Sequence, residues 1–99
     1  MTHFLLFYDL APEYLARRPG FRDAHLGLAW AAVERGELLL GGAVGDPVES
    51  ALLLFTDADA ARAFAEADPY VTAGLVTRWH IQPWNTIVGA ESANPVRPG

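Results

Sequence analysis

The sequence predicts a single α+β domain of ferredoxin-like type, with element order βαββαβ and an antiparallel sheet carrying both helices on one face. Three observations lead there. The chain has 99 residues, which is room for one domain only. Short apolar runs bounded by Gly, Pro and Asp alternate with two longer helical patterns. An apolar content of 52% with 19% charged residues is far from the composition of a disordered chain.

Each element has its own local reason. Residues 3–8 are apolar and aromatic-rich and are broken by Asp9 and Pro12, as in a strand buried on both faces. After a short helical turn at 13–18, Arg18-Pro19-Gly20 punctuates the chain, and a helical pattern runs from about Phe21 to Arg35, stopped by Gly36. Residues 37–44 and 49–55 form two strands joined by Gly45-Asp46-Pro47, a hairpin. Thr56 or Asp57 is a good N-cap for an alanine-rich helix reaching Ala67, with acids placed against its positive end. A last strand follows at Val76–Trp84. Residues 1–88 make the domain, and the polar, Pro-containing stretch 89–99 is expected to be a flexible tail.

This pattern leaves a packing problem. Both the odd and the even positions of the first and third strands are apolar, yet two helices cover only one face of a sheet. A second copy stacked sheet to sheet supplies the missing cover, so a homodimer with an α+β barrel interior is expected. The alternative, a C-terminal stretch folded back across the sheet, fits the polar tail less well.

Composition removes several chemistries. There is no cysteine, so thiolate nucleophiles, Cys-ligated zinc and disulfides are excluded. All seven cations are Arg, set against 12 carboxylates for a net charge of −5. Without lysine there is no Schiff-base chemistry. The negative field disfavours nucleic acid. No apolar run reaches the roughly 18 to 20 residues of a membrane span, and no signal peptide is evident, so a cytoplasmic location is expected. Nucleotide-binding glycine motifs and a serine-hydrolase elbow are absent. His3 and His80 lack metal-ligand spacing, and neither a metal nor another cofactor is expected.

Two side chains stand out. On a helical wheel of about 100° per residue, His25 falls within the apolar stripe of the first long helix, beside Phe21, Leu26, Leu28, Ala29, Ala32 and Val33. It is either a satisfied core histidine or a group held in a pocket, where its pKa range suits proton transfer. Asp68 turns inward at the end of the second helix, ahead of Pro69, and either caps the short turn at 70–74 or works with a histidine. Because both helices share one face, the two side chains can meet, the carboxylate fixing the tautomer of the imidazole. Arg22, one turn from His25, pairs with Asp68, binds an anionic substrate or is solvated. Tyr8 and Tyr70 offer hydroxyls, Gly41 allows close backbone approach or marks a bulge, and Trp30, Trp79 and Trp84 read as core or interface aromatics.

Arg22-Asp23-Ala24-His25-Leu26, Gly41, the segment Ala65-Glu66-Ala67-Asp68-Pro69-Tyr70-Val71-Thr72-Ala73-Gly74-Leu75 and Gln82-Pro83-Trp84 together resemble the YCII (YciI-like) family over residues 3–88. The resemblance implies a small ferredoxin-like protein that dimerises as an α+β barrel. It also implies an active site with a His–Asp pair, here His25 and Asp68, and matches Arg22 and Tyr70 to motif positions. The chain departs from the pattern in a short connection at 45–49 and in its extension after Val88. Dehydrochlorinase-like elimination on chlorinated hydroxy-aromatics is a chemistry associated with the family, but the motif licenses the site, not the substrate. The expected function is acid–base elimination or isomerisation of a small aromatic or anionic metabolite. The alternatives are a non-catalytic metabolite-binding or accessory dimer and a cofactor-independent monooxygenase.

Overall fold

The computed structural model describes residues 2–99. Its elements are β1 (His3–Leu10), α1 (Tyr14–Arg17), a 3-10 turn (Arg18–Gly20), α2 (Arg22–Glu34), β2 (Leu38–Val44), β3 (Ser50–Phe55), α3 (Ala58–Ala67), α4 (Pro69–Thr72) and β4 (Val76–Trp84). The four strands form one antiparallel sheet in the order β2-β3-β1-β4. This is the ferredoxin-like βαββαβ arrangement, with the two short helices as additions at the chain reversals.

Strand alternation sorts the side chains into two faces. Phe4, Leu6 and Tyr8 of β1 lie opposite Phe55, Leu53 and Ala51 of β3. Leu6, Tyr8, Leu53 and Phe55 are buried in one core with Ala61, Phe64 and Ala65 of α3 and Ala32 of α2, so the helices cover this face. Leu5 and Phe7, opposite Leu54 and Leu52, belong to the other face. No helix covers that one: Leu40 is 71% and Trp84 46% exposed. The two-faced apolar pattern of the strands is therefore real, and one face of the sheet is bare in the single chain.

The ends of the elements follow local chemistry. Asp57 caps α3, its carboxylate accepting from the Ala60 N–H at 2.9 Å. Gly36, at φ 76°, ends α2 in the left-handed region that glycine adopts without strain. β1 runs two residues past the expected Tyr8, because Asp9 and Leu10 still pair with β4 across a bulge and Ala11 N–H donates to Leu75. The segment after β4 is bonded to its own first residues and to His3 of β1. Its Ala93 N–H donates to Thr86 Oγ1, Asn94 N–H to the Thr86 carbonyl and Val96 N–H to the Ile87 carbonyl, and Thr86 in turn bonds His3 Nδ1 at 2.8 Å.

Phe55 is fully buried, 5.5 Å from the Phe64 ring, and ties the sheet to α3. Phe55→Ala is expected to cost about 3–5 kcal/mol of stability, read as a lowered midpoint in urea unfolding with an unchanged slope. A loss below about 1 kcal/mol would show that this contact does not carry the core.

Candidate active site

Asp68 sits where two helices meet. Pro69 disfavours the helical conformation at the residue before it, and Asp68 adopts an extended backbone (φ −64°, ψ 122°), ending α3 and opening α4. Its own N–H donates to the Phe64 carbonyl, while its carboxylate caps α4 by accepting from the Tyr70 N–H at 3.0 Å. The backbone thus pins the residue on both sides. Its side chain is completely buried.

A buried carboxylate is costly unless donors surround it. Besides the Tyr70 amide, the Tyr8 hydroxyl of β1 donates to Oδ2 at 2.7 Å, and His25 Nδ1 of α2 stands 2.9 Å and 3.0 Å from the two oxygens. An ionised carboxylate only accepts. Beside an ionised Asp68, Nδ1 is the donor, and Nε2 has no hydrogen-bond partner among the described residues. The imidazole is held further by stacking on the Tyr70 ring, 3.8 Å between centroids at 5°, and by an edge contact to Phe64 at 6.1 Å.

His25, Tyr8 and Tyr70 line a cavity of about 440 Å³ between α2 and the β2–β3–β1 part of the sheet, within the range of small-molecule sites. Leu26, Ala29 and Val33 of α2 and Leu38 and Leu53 of the sheet supply apolar walls. Gly41 and Gly42 leave the β2 wall thin. A Cβ built on Gly41 would meet Leu53 Cγ at 3.4 Å, in ordinary packing contact with that wall residue. The strand bulges just before it, where its register with β3 shifts between Leu38 and Leu40.

The tyrosines respond to this setting. The Tyr8 hydroxyl is pushed well above its ordinary range, first by burial, then by the Asp68 charge and by the hydrogen bond it donates to that carboxylate. Burial and then Tyr14 push Tyr70 up, with the Asp68 charge adding, while the Arg22 and Arg18 charges pull it down.

Of the residues singled out in the sequence, His25, Asp68, Tyr8 and Tyr70 converge, and Arg22 and Gly41 line the same cavity. Both readings of Asp68 hold together, since it caps the turn and meets the imidazole. Arg22 is not its partner: the buried carboxylate is already occupied by three donors, and Arg22 lies exposed. Trp30, expected in a core or interface, is 64% exposed at the cavity. Tyr14 and Arg18 were not singled out, although both line the cavity, with the Arg18 guanidinium 5.7 Å over the Tyr14 ring. Their four-residue spacing was the available signal. Among the described residues, no group of three His, Cys, Asp or Glu side chains could hold a metal ion.

The profile of the YCII-related domain matches residues 1–85. The chain belongs to the YCII family. Protein YciI from Escherichia coli O6:H1 and its counterpart from Shigella flexneri are each 26% identical over 95 residues, covering 85% of this chain and 97% of theirs. Among solved structures, 5-chloro-2-hydroxyhydroquinone dehydrochlorinase (TftG) from Burkholderia phenoliruptrix AC1100, in complex with 2,5-dihydroxybenzoquinone, superposes with a TM-score of 0.68 at 22% identity, covering 85% of this chain and 94% of that one. Protein Atu4242 from Agrobacterium tumefaciens gives a TM-score of 0.56 at 14% identity, covering 94% and 98%. These structures share the YCII fold. No helix among the described residues is long and apolar enough to cross a membrane.

The Tyr8 environment in this YCII protein has a consequence for alkaline stability. In the unfolded chain the phenol ionises near its ordinary value of 10.0, whereas in the folded protein it stays protonated to higher pH. The stabilisation is complete below about pH 10 and drains away above it, at up to about 1.4 kcal/mol per pH unit. Tyr8→Phe is expected to lower stability at neutral pH by about 1–3 kcal/mol, since Asp68 loses a donor, and to flatten the alkaline limb. Urea unfolding at neutral pH and near pH 11 reads both, and equal alkaline slopes in the two proteins would contradict the buried hydroxyl.

Proposed function

We propose that this YCII protein is a small-molecule enzyme in which His25 moves a proton at Nε2 and Asp68 orients and charges the ring through Nδ1. The observation that carries the reading is the fully buried carboxylate on Nδ1 of an imidazole that lines an apolar-walled cavity. In such a pair the carboxylate holds one tautomer and stabilises the imidazolium that forms when the other nitrogen takes a proton.

The chemistry that suits this arrangement is elimination or isomerisation. In an elimination, Nε2 accepts the proton, the electron pair of the broken O–H or C–H bond moves into the substrate, and the leaving group departs with the electrons of its own bond. In an isomerisation, the same nitrogen returns the proton elsewhere on the substrate. After elimination the imidazolium gives its proton to solvent, and after isomerisation the substrate has already taken it, so either cycle closes with Nε2 unprotonated again. The TftG neighbour, described as a dehydrochlorinase of a hydroxylated, chlorinated ring, supports the elimination variant. It also makes chlorinated hydroxyhydroquinones the first compounds to assay. A homodimer formed through the bare sheet face is part of the proposal, supported by the exposed Leu40 and Trp84.

The test is chloride release, together with solvent-deuterium exchange, on a panel of hydroxylated and chlorinated aromatic rings. The wild type is expected to turn over at least one, and His25→Ala to lose about 10²- to 10⁴-fold in kcat. Asp68→Asn is expected to lose activity by a similar factor while leaving the cavity in place. Full activity in His25→Ala would falsify the assignment.

A further inference from the structure

The proton-transfer reading does not account for the charge beside His25. The chain carries a net −5, yet two guanidiniums, Arg18 and Arg22, line the cavity. Neither forms an ion pair among the described residues. Their neighbours differ. Arg17 donates to the Ala73 carbonyl at 2.9 Å and lies 5.7 Å over Phe21, and Arg35, Arg62 and Arg78 each face a carboxylate.

Arg18 is not a loose surface chain. It is half-buried, and its guanidinium lies over the Tyr14 ring, a contact that holds a cation in place. Tyr14 meets Tyr70 edge to face at 5.7 Å and 87°, and Tyr70 stacks on His25. A continuous row of rings therefore runs from the arginine to the imidazole. Arg22 lies on α2 one turn before His25. Both arginine charges reach the Tyr70 hydroxyl, opposing the rise that burial causes there. The lining thus combines two arginines and His25 with the apolar side chains of α2, β2 and β3.

We propose that Arg18 and Arg22 form an anion clamp, and that the site takes a small planar ring bearing a carboxylate or phenolate. The anion pairs with the two guanidiniums, and the ring lies along the apolar wall beside His25. Arg18 is then a specificity residue that the sequence did not reveal. Guanidiniums suit this task because their planar fork matches an oxyanion and stays charged at every working pH. The assignment of the ring to the His25 side rests on the proton-transfer reading above, but recognition of the anion is measured separately from turnover.

Benzoate and benzamide have nearly the same shape and differ in charge, which makes them the probes. Calorimetric titration at low ionic strength is expected to show benzoate binding at least tenfold more tightly than benzamide, with the difference shrinking as salt is added. Arg18→Gln and Arg22→Gln are each expected to weaken benzoate about ten- to hundredfold and to leave benzamide binding unchanged. Arg18→Lys should recover part of the benzoate affinity. Equal affinity for the two probes, no binding of benzoate at millimolar concentration, or a parallel loss of both probes in Arg18→Gln overturns the clamp. Benzoate preference retained in His25→Ala separates the two ideas, because the clamp then stands whatever becomes of the catalytic assignment.

Discussion

The buried Asp68 carboxylate is the constraint on which the site depends. Removing such a charge from water costs several kcal/mol even after relaxation, while each hydrogen bond to a charged group returns about 1.5–3 kcal/mol. Three donors are needed to hold the balance, and they come from separate parts of the fold: Tyr8 from β1, His25 from α2 and the Tyr70 amide from α4. The carboxylate therefore ties the sheet, the long helix and the chain reversal after α3 to one point. It also caps the helix that follows it, so the orientation of the imidazole is set by the same interactions that close the backbone there. A histidine fixed in this way needs little reorganisation to accept a proton.

Around that point the cavity is mixed in chemistry. Its lining joins Tyr14, Tyr70 and Arg18 from the short segments around α1 and α4 with aliphatic residues of α2, β2 and β3. The glycines of β2 keep one wall thin, and Trp30 of α2 is exposed beside the cavity. The helix-bearing face thus carries both a core, around Phe55 and Phe64, and a hollow, over β2. The opposite face of the sheet carries a shallower hollow lined by Leu5, Leu52, Leu54 and Trp84, and the exposed Leu40 and Trp84 give the YCII chain a second apolar surface to cover.

Much of this was legible in the residues. The element order followed from apolar runs and their breakers, and Asp57, Gly36 and Pro69 marked ends that the structure keeps. The meeting of His25 and Asp68 was legible because each turned toward the helix-bearing face on a wheel. Less legible were features that depend on distance across the fold. A wheel cannot tell a packed core from a cavity, so Leu26 fell in the apolar stripe although it borders open space. Pairing of Arg22 with Asp68 looked reasonable until the other two donors to the carboxylate were placed, one a backbone amide that no side-chain pattern announces. Tyr14 and Arg18 gained their position only from α1 and the 3-10 turn folding against α4, a contact between segments too short to show periodicity.

Asp68 orients the His25 ring by accepting from Nδ1, which leaves Nε2 as the nitrogen without a hydrogen-bond partner among the described residues. Ring nitrogen-15 shifts of His25, compared between the wild type and Asp68→Asn, test it most directly. The Nδ1–H tautomer is expected in the wild type, with a shift toward the Nε2–H form, the one free histidine prefers, in the variant. A wild-type ring protonated on Nε2, or one whose shifts are indifferent to Asp68→Asn, would contradict it.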